Sequence, residues 1–190
     1  MFITIEGLDG SGKKYHASWM ADWLSNIGEN VLSISDGGTE IGKKLLGTLE
    51  ESTKQLAESE LLIRSAIHAQ MAGELILPHI EVGGTVVSEG YIDAVYVQAL
   101  AQGLDPRIIQ EVTEFSIRGL YPDISVLFDI RTEKPEYAKI RAGYLAVVKR
   151  DPKRWLVINA QEEPERIKSI LKGIITNKLR ERKICRMRQS

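Results

Sequence analysis

The chain has 190 residues, with 25 Lys+Arg against 26 Asp+Glu, 43% hydrophobic and 27% charged residues. That balance excludes a disordered chain and points to one soluble globular domain, long enough to remove roughly 70% of its unfolded surface from water without a metal or disulfide staple. The single cysteine, Cys185, can close no intrachain disulfide, and no Cys/His pattern of a zinc cluster accompanies it. No apolar run approaches the ~20 residues of a membrane span, and Met1 leads directly into a strand-like segment instead of a signal peptide. A reducing, cytoplasmic setting without membrane contact is the expectation.

In chain order, residues 2–6 (FITIE) read as a buried strand. Residues 13–26 read as a helix with Trp19, Met20, Trp23 and Leu24 on one face, a spacing that suits core packing better than a stacking box for bases. Residues 31–35 form a second strand. Helices follow over 41–49 and 58–82, the latter long and apolar-periodic until Gly83-Gly84 stops it, and 85–88 form a third strand. Further helices begin at Ile92 and Asp105. Residues 123–130 (DISVLFDI) are a fourth strand, 135–149 a helix and 155–159 a fifth strand, and Pro164 opens the last helix. Strands alternating with helices predict an α/β fold whose five-stranded parallel sheet is covered on both faces, with ligands at the carboxyl ends of the strands. The formal net charge of -1 hides a basic end, because residues 177–190 hold six basic side chains and one acidic one. The division expected is one domain over 1–179 and a basic C-terminal tail over 180–190. Such a tail suits a phosphate, a nucleic acid or an acidic partner, or is the solvated end of a helix.

Directly after the first strand stands Gly7-Leu8-Asp9-Gly10-Ser11-Gly12-Lys13-Lys14, which matches G-x-x-x-x-G-K-[ST] everywhere but the last position. Gly7, Gly10 and Gly12 let the backbone curl so that successive N–H groups face inward beside Ser11. Lys13 adds a point charge and the helix N-terminus its dipole, so the nest suits polyphosphate. The hydroxyl expected at position 14 would ligate the magnesium that bridges the outer phosphates. Lys14 cannot ligate a cation: it either neutralises phosphate directly or points to solvent.

Beyond this loop the chain resembles the thymidylate kinase family over nearly its whole length. The matching stretches are FITIEGLDGSGK, DGGTEIGKKLL, ELLIRSAIHAQ, TVVSEGYID, GLYPDISVLFDI and IRAGYLAVVKRDPKRWLVINA, in order and at approximately the family's spacing. The resemblance implies a P-loop nucleoside-monophosphate-kinase fold and a cytoplasmic homodimer, with contacts from the helices at Glu60 and Ile92. It also implies transfer of the terminal phosphoryl of ATP to dTMP with Mg2+.

The departures fall on residues that carry charge. Where the family has Arg-Glu-Pro before Gly-Gly-Thr, this chain has Ile34, Ser35 and Asp36. Arg64 and His68 stand where the family places the Phe that stacks on thymine and the Arg that grips the dTMP phosphate. Asp-Arg-Tyr becomes Glu89-Gly90-Tyr91. Between Asp129 and Arg141 about twenty family residues are missing, and with them an arginine-bearing lid; one such arginine is worth roughly 10³ to 10⁵ in rate.

The resemblance also allocates the remaining candidates. Asp9 contacts the acceptor sugar or supports its turn, Glu89 is a metal carboxylate or a solvated strand end, and Gln98 lies near the family's thymine-contacting glutamine in a segment one residue shorter here. His68 is a neutral helix histidine or a protonated stand-in for the lost arginine. Arg154, Asn159 and Ala160 fall on the adenine side. Three functions compete: a nucleotide-binding relative whose transfer activity is lost or strongly reduced, which the departures favour; an active divergent kinase using Lys13 and Glu89; and a scaffold acting through the basic tail.

Overall fold

The computed structural model describes residues 1–187; of the expected tail, Arg188, Gln189 and Ser190 lie outside the described residues. Five strands, β1 (Phe2–Gly7), β2 (Val31–Ile34), β3 (Thr85–Glu89), β4 (Ile124–Asp129) and β5 (Trp155–Asn159), pair in the order β2-β3-β1-β4-β5. All pairings are parallel. The helices are α1 (Lys13–Asn26), α2 (Glu40–Glu51), α3 (Ala57–Met71), α4 (Leu77–Glu81), α5 (Ile92–Ala101), α6 (Pro106–Ile117), α7 (Pro135–Arg150) and α8 (Pro164–Met187).

The two faces of the sheet divide the alternating residues of β1. Ile3 and Ile5 pack with Met20 and Leu24 of α1 and with Ile167, Leu171 and Ile175 of α8. Phe2 joins the opposite core with residues of α3, α5, α6 and α7. On that face Thr4 donates to Ser125 Oγ across the β1–β4 pair at 2.9 Å, and Glu6 follows two residues on. Along that side the buried strand reads F-T-E, with Thr4 satisfied by Ser125.

Three local expectations need correction. The helix expected over 58–82 is interrupted by one π-helical turn, Ala72–Ile76, between α3 and α4. Pro78 has no N–H for the carbonyl four residues earlier, and the wider turn absorbs the mismatch. Trp19 and Trp23 lie at the rim of the core: only Met20 and Leu24 of that quartet are fully buried. The two indoles stack on each other at 6.0 Å and 7°, with Lys168 and Lys172 over Trp19. Finally, α5 packs against α3, α6 and α7 and has no exposed residue, so the helix at Ile92 offers no face to a second subunit.

The last helix continues through the segment expected as a tail. Leu179 is buried, and Arg182 turns back to pair with Glu29 and to donate to Gly84 O and Thr85 Oγ1 at 3.2 and 3.0 Å.

Candidate functional site

The phosphate loop leaves β1 at the carboxyl edge of the sheet. At Gly7, φ is +142°, and a Cβ there would stand 2.7 Å from Phe128 O and 2.9 Å from Ser11 Oγ. Only glycine fits between the loop and β4. Gly12, at φ +81°, is the N-cap of α1, so the left-handed turn that glycine allows delivers the helix's free N–H groups to the loop. Ser11 N donates to Leu8 O at 3.2 Å. Lys13 Nζ folds back to donate to Gly7 O at 3.3 Å and Asp9 Oδ1 at 2.7 Å. Lys14 is exposed and makes no ion pair among the described residues.

The loop opens onto a cavity of about 450 Å³. Its lining brings together Gly7, Asp9, Lys13, Lys14, Glu89 and, across the space, Arg64, His68 and Gln98. The residues expected on the phosphate side and on the acceptor side thus line one cavity. The charges on the acceptor side are spent internally. Arg64 Nε donates to Glu60 Oε1 at 2.7 Å, and its Nη1 lies 3.9 Å from Asp36. Glu60, 6% exposed, also accepts from Gln98 Nε2 and Gln102 Nε2, each at 2.7 Å. His68 is buried, with Nε2 4.0 Å from Asp36 Oδ1. Burial pushes its pKa down to about 4 against the pull of Asp36, so its ring is neutral near pH 7.

Glu6, on the lining of the same cavity, was part of a matching stretch but not of the expected site. It is 1% exposed; Tyr144 Oη donates to its Oε2 at 3.2 Å, and Oε1 has no partner among the described residues. Burial, then the charge of Asp93, pushes its pKa up to about 8, so Glu6 faces the cavity as a neutral acid at pH 7. Burial likewise holds Tyr144 well above the usual phenol value.

Glu89 reaches the cavity from the end of β3, in register with Ile5, and makes no ion pair among the described residues. No group of three or more His, Cys, Asp or Glu side chains converges among the described residues as a preformed metal site. Asn159 ends β5 beside Asp129, and the N–H of Ala160, one residue on, donates to Asp129 O at 2.9 Å. Asp129 in turn holds Arg141 through two hydrogen bonds of 2.6 and 2.7 Å. Asp129, Arg131, Arg141 and Asn159 border a second hollow at the carboxyl edge. Arg154 is separated from them: it precedes β5, at the other end of that strand. Its Nη1 and Nη2 donate to Asp93 at 2.6 and 2.9 Å and Nη1 to Ser125 Oγ at 2.9 Å. Its side chain, 10% exposed, is held by these partners. Residues 130–134 alone join β4 to α7.

A sequence model of the thymidylate kinase family matches residues 5–136. The chain belongs to that family. Among curated relatives, a thymidylate kinase of Carboxydothermus hydrogenoformans is 32% identical over 92% of this chain and 96% of its own length. That of Maridesulfovibrio salexigens is 29% identical over 95% and 97%. The latter alignment runs to 210 positions against a chain of 190 residues, so this relative has residues for which the chain has none. The crystal structure of thymidylate kinase from Ehrlichia chaffeensis superposes with a TM-score of 0.81 at 30% identity, covering 90% of this chain and 98% of that one. The five-stranded parallel sheet with helices on both faces is thus the thymidylate kinase fold.

Two buried carboxyl groups, Glu6 on the cavity lining and Glu60 holding Arg64, escaped sequence reasoning. Glu60 had a visible signal, since Glu60 and Arg64 are four apart on a helix, the spacing of an ion pair. Glu6 had none, because a strand residue's protonation depends on what the fold packs over it.

Proposed function

We propose that this thymidylate kinase-family protein binds ATP by its phosphates on the Gly7–Lys13 loop and transfers phosphoryl to dTMP weakly or not at all. The observation that carries the reading is the pairing of the cationic side chains: Arg64 with Glu60 and Asp36, and Arg141 with Asp129. Phosphoryl transfer rests on positive charge held against the moving group, and here those guanidiniums already have carboxylate partners. Lys13 and the loop amides remain for the nucleotide. Asp9 holds Lys13 until phosphate displaces it, while Lys14 adds charge at the mouth.

Mg2+ does not fit this loop in the manner of a Ser/Thr-bound ion, since an ammonium stands where the hydroxyl ligand would be, and no step is routed through it. Glu89, a carboxylate at the cavity without an ion pair among the described residues, is the feature that favours the alternative of residual kinase activity.

A homodimer formed through α3 with its neighbours α2 and α6 is supported by exposed Ile41, Leu62, Ile108 and Phe115. The reading places the protein among cytoplasmic nucleotide-binding proteins.

The test is phosphoryl transfer from ATP to a panel of deoxynucleoside monophosphates at stoichiometric protein with magnesium, products separated by chromatography. The expected result is ATP binding, lost in Lys13→Ala, with no or trace diphosphate. Efficient dTDP formation, abolished by Lys13→Ala, would establish an active kinase instead.

A further inference from the structure

We infer that the acceptor half of the cavity takes an uncharged nucleoside in preference to the corresponding nucleoside monophosphate. The inference rests on the nucleotide reading of the phosphate loop and adds the chemistry of the second ligand.

A phosphate dianion needs cations whose charge is available when it arrives. Arg64 is the guanidinium of this half, and two carboxylates balance it beforehand: Glu60 through Nε at 2.7 Å and Asp36 at 3.9 Å from Nη1. Glu60 is clamped in turn by the amides of Gln98 and Gln102, so Arg64 cannot leave it without stranding a buried charge. Asp36 is half-exposed and stands beside both Arg64 and His68. A phosphate drawn to Arg64 would therefore meet Asp36 on the cavity lining and a guanidinium whose charge Glu60 already balances. His68, held neutral by burial, adds no positive charge near pH 7.

What this half does offer is neutral hydrogen bonding beside apolar walls. Glu6 Oε1 and His68 Nδ1 are both buried and unpartnered among the described residues, and both residues line the cavity. Burial keeps the Glu6 proton in place at pH 7, so this group donates to a ligand oxygen. Asp36 accepts from a hydroxyl. Val95, Tyr137 and Ile140 supply apolar surface on the same cavity. Hydroxyls on a sugar and the flat faces of a base match that set, and the volume of about 450 Å³ lies within the ordinary range of small-molecule pockets.

The experiment is calorimetric titration at pH 7.5 of protein saturated with a non-hydrolysable ATP analogue. The ligands are the four deoxynucleosides and their four 5′-monophosphates. The expected result is that at least one deoxynucleoside binds ten times or more tightly than its monophosphate. Glu60→Gln and Asp36→Asn, by releasing the charge of Arg64, should each shift that ratio toward the monophosphate by about tenfold; Asp36 lies at the surface, so its variant folds even if the other does not. A wild-type preference for the monophosphate, no binding of any nucleoside, or a ratio unchanged in the folded variants would overturn the inference. Analogue binding, and its loss in Lys13→Ala, reports on the phosphate loop separately. Analogue bound without any acceptor removes only the nucleoside subsite; a nucleoside bound without the analogue removes only the phosphate-loop reading.

Discussion

Replacing Glu6 by glutamine preserves the side chain's shape and the hydrogen bond from Tyr144 while removing its titration. In the folded chain burial pushes Glu6 from 4.5 to about 8, with Asp93 adding to the shift and Tyr144 opposing it. The unfolded chain gives up this proton near its ordinary value, so between the two values the unfolded state binds fewer protons and stability falls as pH rises. The favourable condition is fully present below the unfolded value and is lost by the time pH passes the folded one. At about 1.4 kcal/mol per unit, the stretch from pH 6.5 to 8.0 should remove about 1.5 kcal/mol of wild-type stability through this group. His68 is displaced the other way, to about 4, and contributes a small opposite change that both proteins share. Urea unfolding followed by tryptophan fluorescence at half-unit steps over this range would measure the effect. The stability advantage of Glu6→Gln should grow steadily with pH by that amount. A constant difference between the two proteins would show that Glu6 is already ionised in the fold and refute the account of its burial.

Three further perturbations test other parts of the framework. Lys14→Ser restores a hydroxyl at the end of the loop and should make ATP affinity magnesium-dependent; equal dissociation constants in magnesium and EDTA would show that position 14 is not what separates this loop from a magnesium-binding one. Gly7→Ala forces a Cβ to within 2.7 Å of Phe128 O at a φ of +142° and should cost about 2 kcal/mol of stability along with ATP binding, a wild-type denaturation midpoint being the contrary result. Arg154→Ala leaves Asp93, 6% exposed, without its guanidinium and should cost about 3–5 kcal/mol. A loss below about 1 kcal/mol in chemical denaturation would mean that the pair is as weak as a surface one.

Most of the strands and helices were legible to within a residue or two because each apolar run has one clear period and is bounded by glycine or proline. The phosphate loop was legible for a stronger reason: Gly7 and Gly12 are demanded by backbone geometry, which spacing along the chain records directly. The acceptor side was half legible. Arg64, His68 and Gln98 could be put on one cavity by resemblance, but the chain does not announce that Glu60 gathers Arg64, Gln98 and Gln102 from two helices, and that gathering decides what charge a ligand meets. Arg154 shows the reverse case. Standing immediately before a parallel strand, it belongs at the amino edge, and the order of residues alone contained the information that separates it from Asn159.

The short connection over residues 130–134 bears on timing. Closure of a long segment over bound phosphates takes microseconds to milliseconds and often limits turnover. With β4 handed to α7 in five residues, there is too little chain there to fold over the cavity mouth. Nucleotide should associate in a single kinetic phase whose rate climbs linearly with concentration, and it should leave as fast as its contacts with the loop allow, its outer phosphates in touch with bulk water throughout.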